Sequence, residues 1–125
     1  MKILVVDDET DVPSLFVQRF RREIKNSEFE FSFAHSGEDA LSYLENNKSE
    51  VVLILSDINM PGMTGIELLS RIRKFYELPP PVVMMVTAYG DDENRKQAEE
   101  HGANDFLTKP LDFNLLKDKL KPFIQ

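Results

Sequence analysis

The residues of this chain best suited to chemistry are Asp7 and Asp8, Asp57, Thr87 and Lys109. Three acids, a hydroxyl and an amine can together hold a divalent cation and accept a phosphoryl group. Donors that are all oxygen favour a hard ion such as Mg²⁺, which keeps several waters and uses few carboxylates. Crowded together without a cation, three carboxylates repel, and at least one gains a proton. Taken singly, each residue has a plainer reading. A lone Asp at a strand end more often caps a turn. The run Asp7–Asp11 suits the N-terminus of a helix, where acids meet the positive end of the macrodipole. Thr87 could simply close a strand, and Lys109 could do no more than pair with Asp57. Only their convergence makes a site.

Convergence requires a particular arrangement of elements. Each polar group lies at or just beyond the end of a short apolar run: Ile3–Val6, Val51–Leu55, Val82–Val86 and Asp105–Leu107. A fifth run, Phe29–Ala34, alternates in polarity and is flanked by acids at 28 and 30, which places it at a sheet edge. Between the runs lie segments with helical spacing. Leu15, Phe16, Phe20 and Ile24 share one face of the first, with Arg19 at its border and Pro13 in its first turn, where a missing N–H is tolerated. Ser36 and Thr64 look like N-caps, with Asp39 and Glu67 three residues on. Asp91–His101 forms a weaker, polar helix stopped by Gly102. Phe113, Leu116, Leu120 and Phe123 form the stripe of the last helix.

The order is βα five times over. The first, third and fourth strands are nearly continuous apolar runs, as expected when both faces of a sheet are covered. Right-handed crossovers then give an α/β, doubly wound, five-stranded parallel sheet in the order 2-1-3-4-5, a flavodoxin-like (βα)5 fold over residues 1–125. Its switch point lies between strands one and three, flanked by Asp7, Asp8 and Asp57.

The bulk numbers limit the alternatives. A chain of 125 residues fits one domain with its own core. Its net charge of −7, from 15 basic and 22 acidic residues, argues against a surface that grips nucleic acid directly. No apolar run approaches the roughly 20 residues of a membrane span, and the N-terminus leads straight into a strand without a signal peptide. The chain has no cysteine, which fits a reducing cytoplasm. His35 and His101 lack the setting of a phosphodonor, Met84 and Met85 read as core, and Lys117, Lys119 and Lys121 read as a solvated helix face.

Four stretches, each at a strand end and in order, carry a resemblance. They are Ile3-Leu4-Val5-Val6-Asp7-Asp8-Glu9, Ser56-Asp57-Ile58-Asn59-Met60-Pro61-Gly62-Met63-Thr64-Gly65, Val86-Thr87-Ala88-Tyr89 and Gly102-Ala103-Asn104-Asp105-Phe106-Leu107-Thr108-Lys109-Pro110. Through them the chain resembles response-regulator receiver domains, the phosphoacceptor half of two-component signalling. The resemblance implies that Asp57 takes a phosphoryl group from a histidine kinase or a histidine phosphotransfer protein. Asp8, Asp57 and the main-chain carbonyl of Asn59 would ligate Mg²⁺, with Asp7 acting through water. Lys109 and Thr87 would bind the phosphoryl oxygens. Thr87 and Phe106 would form the switch, Asn59 and Tyr89 would tune the phosphoryl lifetime, and Lys109-Pro110 would be cis. The face made by the fourth helix, fifth strand and fifth helix would act on a downstream protein or a fused output domain, and could also serve a dimer. Such a protein catalyses only its own modification and is not a turnover enzyme.

Three other classes fit less well. An aspartyl phosphohydrolase usually carries a D-x-D pair and a cap, whereas this chain has Asp57-Ile58-Asn59 and no residues left for a cap. A nucleotide or flavin module needs a glycine- or hydroxyl-rich loop after strand one, where Asp7–Asp11 instead repels phosphate. A degenerate receiver serving as an adaptor would not need the intact five-residue set.

Overall fold

The alternating pattern becomes a five-stranded parallel sheet, β1 (Lys2–Val6), β2 (Glu30–Ala34), β3 (Val51–Asp57), β4 (Val82–Thr87) and β5 (Asp105–Thr108), in the order β2-β1-β3-β4-β5. This is a computed structural model, and it describes residues 1–47, 51–75, 81–88 and 90–123. The helices are α1 (Val12–Arg19), α2 (Arg21–Lys25), α3 (Gly37–Asn46), α4 (Gly65–Phe75), α5 (Asp92–Glu100) and α6 (Phe113–Leu120), with a 3-10 turn at Lys121–Phe123. Among the described residues, no helix is long and apolar enough to cross a membrane.

Period-two alternation divides the strand side chains between two cores. Leu4, Val6, Ile54, Val83 and Met85 face α3, α4 and α5, where Leu44, Leu68, Leu69 and Ile72 are fully buried. Ile3, Val5, Leu53, Leu55, Met84, Val86 and Leu107 face α1, α2 and α6. Burial on both faces explains why β1, β3 and β4 read as continuous apolar runs. β2 sits at an edge as expected, with Phe31 and Phe33 half-buried on one face and the Ser32 hydroxyl 2.8 Å from the Tyr43 hydroxyl on the other.

The caps form where the sequence placed them. Ser36 accepts from the Asp39 amide at 3.0 Å and Thr64 from the Glu67 amide at 3.2 Å. Asp91 and Asp112 cap α5 and α6 in the same way. Gly102 stops the α5 segment at φ +94°, a left-handed conformation that costs glycine little.

Two expectations are corrected. The first helix is not one straight segment but α1 and α2, bent at Phe20. The Phe20 and Ile24 amides still donate to the Phe16 and Phe20 carbonyls at 2.9 Å. The bend carries the fully buried Phe20 ring among Phe16, Phe29, Phe31 and Phe113, with centroids 4.9–6.0 Å apart. The fourth and fifth helices of the sequence reading are therefore α5 and α6. The second correction concerns Lys117, Lys119 and Lys121, of which only Lys121, just past α6, is mostly exposed. Lys117 pairs with Glu23 at 3.1 Å, and Lys119 pairs with both carboxylate oxygens of Asp105 at 2.9 and 3.0 Å. Helix α6 packs between α2 and β5, so these long stems cross interfaces and do not point to solvent.

Candidate functional site

Three parallel strands end side by side, and their ends supply the site. β1 runs into Asp7 and Asp8, β3 ends on Asp57 and β4 ends on Thr87. Lys109 follows β5 by one residue and is tied to β4, its amide donating to the Thr87 carbonyl at 2.8 Å. One ligand oxygen from each of Asp7, Asp8 and Asp57 lies within 4.8 Å of the others. The Lys109 Nζ is 2.8 Å from Asp57 Oδ2, 3.7 Å from Glu9 and 3.9 Å from Asp7. All five residues are thus on one rim, as the sequence required.

Burial differs across the cluster, and so does charge. Asp57 is only 4% exposed, while Asp8 is open to solvent. Burial raises the Asp7 carboxyl above its ordinary range and the charge of Asp57 adds to this, although the Glu9 amide at 2.9 Å and Lys109 oppose it. Burial would lower the Lys109 ammonium, but its hydrogen bond to Asp57 and the surrounding acids outweigh that and raise it. Lys109 is therefore a fixed cation, and its one amine faces three carboxylates, those of Asp57, Glu9 and Asp7. The donor set fits a hard divalent ion: its side-chain donors are all oxygen, and Asp8 leaves room for the waters such an ion retains.

The loop after β3 holds Asp57 in place. The Asn59 amide donates to Asp57 Oδ1 at 3.3 Å, and the Ile58 amide donates to the Val86 carbonyl at 3.1 Å. Ile58 and Met60 are buried, whereas Asn59 is exposed. Gly65 opens α4 directly against the strand end. A Cβ there would lie 2.2 Å from the Asp57 carbonyl oxygen and 2.7 Å from the Ile58 Cα, so this approach of helix to strand requires glycine. Beside Asp57, an apolar cavity of about 210 Å³ opens between β1, α1 and α6, flanked by Val5, Leu55, Val12 and Phe113.

On the other face of the sheet, Thr87 and Phe106 are diagonal neighbours, since Met85 pairs with Phe106 and Thr87 with Thr108. The Thr87 hydroxyl lies 3.5 Å from the Leu107 carbonyl and is buried. Phe106 is half-buried, and the Arg95 guanidinium sits 4.9 Å from its ring centroid. Lys109-Pro110 is cis. Tyr89 lies outside the described residues. His35 and His101 are both exposed.

Reading the sequence missed three participants. Glu9 reaches Lys109 from the acid run. Arg73 donates to the carbonyls of Gly102 and Pro81 and to Asn104 Oδ1 at 2.7–3.1 Å. Arg95 covers Phe106. The acid run hinted at the first; nothing local signalled the other two, because their partners are distant in the chain.

Comparison with known proteins agrees with this geometry. The profile of the response regulator receiver domain matches residues 3–121. The chain is 36% identical over 111 residues to response regulator RppA of Synechocystis, covering 89% of this chain and 45% of that protein. It is 36% identical over 123 residues to chemotaxis protein CheY-3 of Vibrio cholerae, covering 96% and 88%. It thus spans less than half the length of RppA but most of CheY-3. In fold it matches the receiver domain of the Saccharomyces cerevisiae response regulator Ssk1, solved with the histidine phosphotransfer signalling protein Ypd1, at a TM-score of 0.83, 23% identity and coverage of 97% and 86%.

Proposed function

This chain belongs to the response regulator receiver domain family, and we propose that Asp57 is its phosphoacceptor. One observation carries the reading: a buried strand-end carboxylate stands within reach of two further acids and 2.8 Å from an ammonium. Phosphoryl transfer needs positioning and charge neutralisation more than acid–base work, and this rim supplies both. An Asp57 carboxylate oxygen attacks phosphorus. The bond from phosphorus to the donor histidine nitrogen breaks, and its electron pair returns to the imidazole. Lys109 then exchanges its contact with the Asp57 carboxylate for one with a phosphoryl oxygen, as a point charge.

The carboxylates of Asp8 and Asp57 and the main-chain carbonyl of Asn59 would hold Mg²⁺, with Asp7 acting through water. The bound ion would supply charge neutralisation for the phosphoryl oxygens. Thr87 leaves the Leu107 carbonyl to donate to the phosphoryl group, and Phe106, its neighbour on the same face, repacks. That is a shift between two populations. It is read out at the face of α5, β5 and α6 by a protein target, by an attached output domain or by dimerisation. The phosphodonor is a histidine kinase or phosphotransfer protein, the class seen bound to the yeast receiver. A cytoplasmic site of action follows from that partner class, not from the fold. The chain modifies itself and turns over no separate substrate.

The test is incubation with Mg²⁺ and acetyl phosphate, read by intact-mass spectrometry. One added phosphoryl group is expected, and none in Asp57→Asn. Labelling that survives in that variant would place the acceptor elsewhere. For lifetime, Asn59 and the bulky Tyr89 are the tuning positions. Tyr89→Ala should speed loss of the phosphoryl group by exposing it to water; an unchanged or slower decay would remove Tyr89 from this role.

A further inference from the structure

We propose that Arg95 is a positioning residue that latches α5 onto β5 through the ring of Phe106, and so sets how readily the switch turns. The inference takes Phe106 as the switch residue, as above, and names what regulates it.

Helix α5 is poorly anchored. Of its nine residues only Ala98 is buried, and the rest are polar or charged. A helix with so little apolar contact is the kind of element that opens locally before the domain unfolds. Its attachment to β5 therefore depends on the few specific contacts it makes. One is the guanidinium of Arg95 over the Phe106 ring at 4.9 Å. Phenylalanine has no hydroxyl to hold its own rotamer by a hydrogen bond, and the stacked cation does this from outside.

Arg95 also borders an open, polar recess beside Thr87, lined by Ala88, Asp91, Asp92 and Thr108. Repacking of the ring toward Thr87 must break the stack. Glu99, one turn on, pairs with Arg95 at 4.0 Å, and Asp105 on β5 is close enough to feel its charge. The Glu99 pair is exposed on both sides and screened by solvent, so it adds little, and the ring contact carries the latch.

An exposed cation–π contact corresponds to roughly a two- to fivefold change in an equilibrium. Hydrogen exchange of the amides at 92–100 measures it directly, without any phosphoryl group. In Arg95→Ala those amides should exchange about two- to fivefold faster while the β3 and β4 amides are unchanged. Alanine is the better helix former, so faster exchange cannot come from helix propensity. Arg95→Lys should fall between, since the ammonium stacks less well. Glu99→Gln should leave exchange unaltered. In a Phe106→Leu background, Arg95→Ala should add nothing.

The second arm is titration with beryllofluoride and Mg²⁺, a phosphoryl mimic. If the latch opposes switching, Arg95→Ala binds the mimic tighter by the same factor, because coupling is reciprocal. Unchanged α5 exchange in Arg95→Ala, or the same acceleration with Phe106 replaced, overturns the latch. Faster exchange with unaltered mimic affinity overturns its control of the switch. A wild-type protein that binds no mimic at all overturns the phosphoacceptor reading instead, and leaves the exchange result standing.

Discussion

Helices α4 and α5 are consecutive and lie on the same face of the sheet, yet they are held in opposite ways. Leu68, Leu69 and Ile72 of α4 are wholly buried, and Gly65 brings its first turn into backbone contact with the end of β3. Helix α5 buries only Ala98. One helix is part of the core and abuts the end of β3; the other rests on the sheet by a few polar and cation–π contacts. Anchoring is thereby unequal on one face of the sheet. The element beside Asp57 is anchored by wholly buried side chains, and the element beside Phe106 has little apolar contact.

The sharpest way to break this comparison is by truncation. Leu69→Ala should cost about 2–5 kcal/mol in urea unfolding, whereas Ala98→Gly should cost about 1 kcal/mol. Equal losses would show that α5 is as much a part of the core as α4. Next in size is Arg73, through which α4 holds the turn after α5. Its guanidinium serves the Gly102 and Pro81 carbonyls and Asn104 Oδ1, which also accepts from the Val83 amide at 2.8 Å. Arg73→Ala should cost about 1–3 kcal/mol. Arg73→Lys should recover little, since an ammonium cannot span those acceptors. If Arg73→Lys is wild-type in stability, charge alone holds the turn.

The metal prediction sharpens the contrast from the other end. At ten times its dissociation constant, Mg²⁺ should stabilise the fold by about 1.4 kcal/mol, measured as a rise in the thermal midpoint. Asp8→Asn should abolish the rise. Asp7→Asn should stabilise the metal-free protein, because it removes a half-buried charge facing Asp57. The added protection should appear in β3 and the start of α4, not in α5. No shift at millimolar Mg²⁺ would count against the metal site.

The smallest effect lies where α6 meets β5. Burial alone would raise the Asp105 carboxyl, but Lys119, the Phe106 amide and Arg95 together hold it below its ordinary value. A depressed folded-state value means that this pair stabilises the fold above the ordinary pKa of 3.8 and loses that contribution as pH falls through the folded value. The carboxylate is more than a third exposed, so the contribution should stay under about 1 kcal/mol. The stability difference between wild type and Asp105→Asn should therefore be small at neutral pH and vanish in strong acid. A difference that grew on acidification would reverse the assignment.

Much of the rim was legible because it depends on strand ends, and strands announce themselves. A run buried on both faces must be apolar, so its polar terminus stands out, as Asp57 and Thr87 do. The ion pairs of Lys117 and Lys119 are hidden in the sequence for the opposite reason. Basic residues near a helix C-terminus look solvated unless the neighbouring elements are known, and Glu23 and Asp105 approach from elsewhere in the chain. The bend at Phe20 was hidden too, since no proline or glycine marks it and the cause is an aromatic cluster drawn from several elements.

The amino-acid sequence by itself determined the order of strands and helices, the edge position of β2, the caps and the identity of the acids, hydroxyl and amine at the rim. These follow from local periodicity, propensity and the rule that connects parallel strands. Only the tertiary structure decided that Lys109 lies 2.8 Å from Asp57, that Arg73 of α4 ties down the turn after α5 while Arg95 of α5 stacks on Phe106, and that Gly65 lets helix meet strand. Such facts depend on distances between residues remote in the chain, which are set by how whole elements pack and not by any neighbourhood within them.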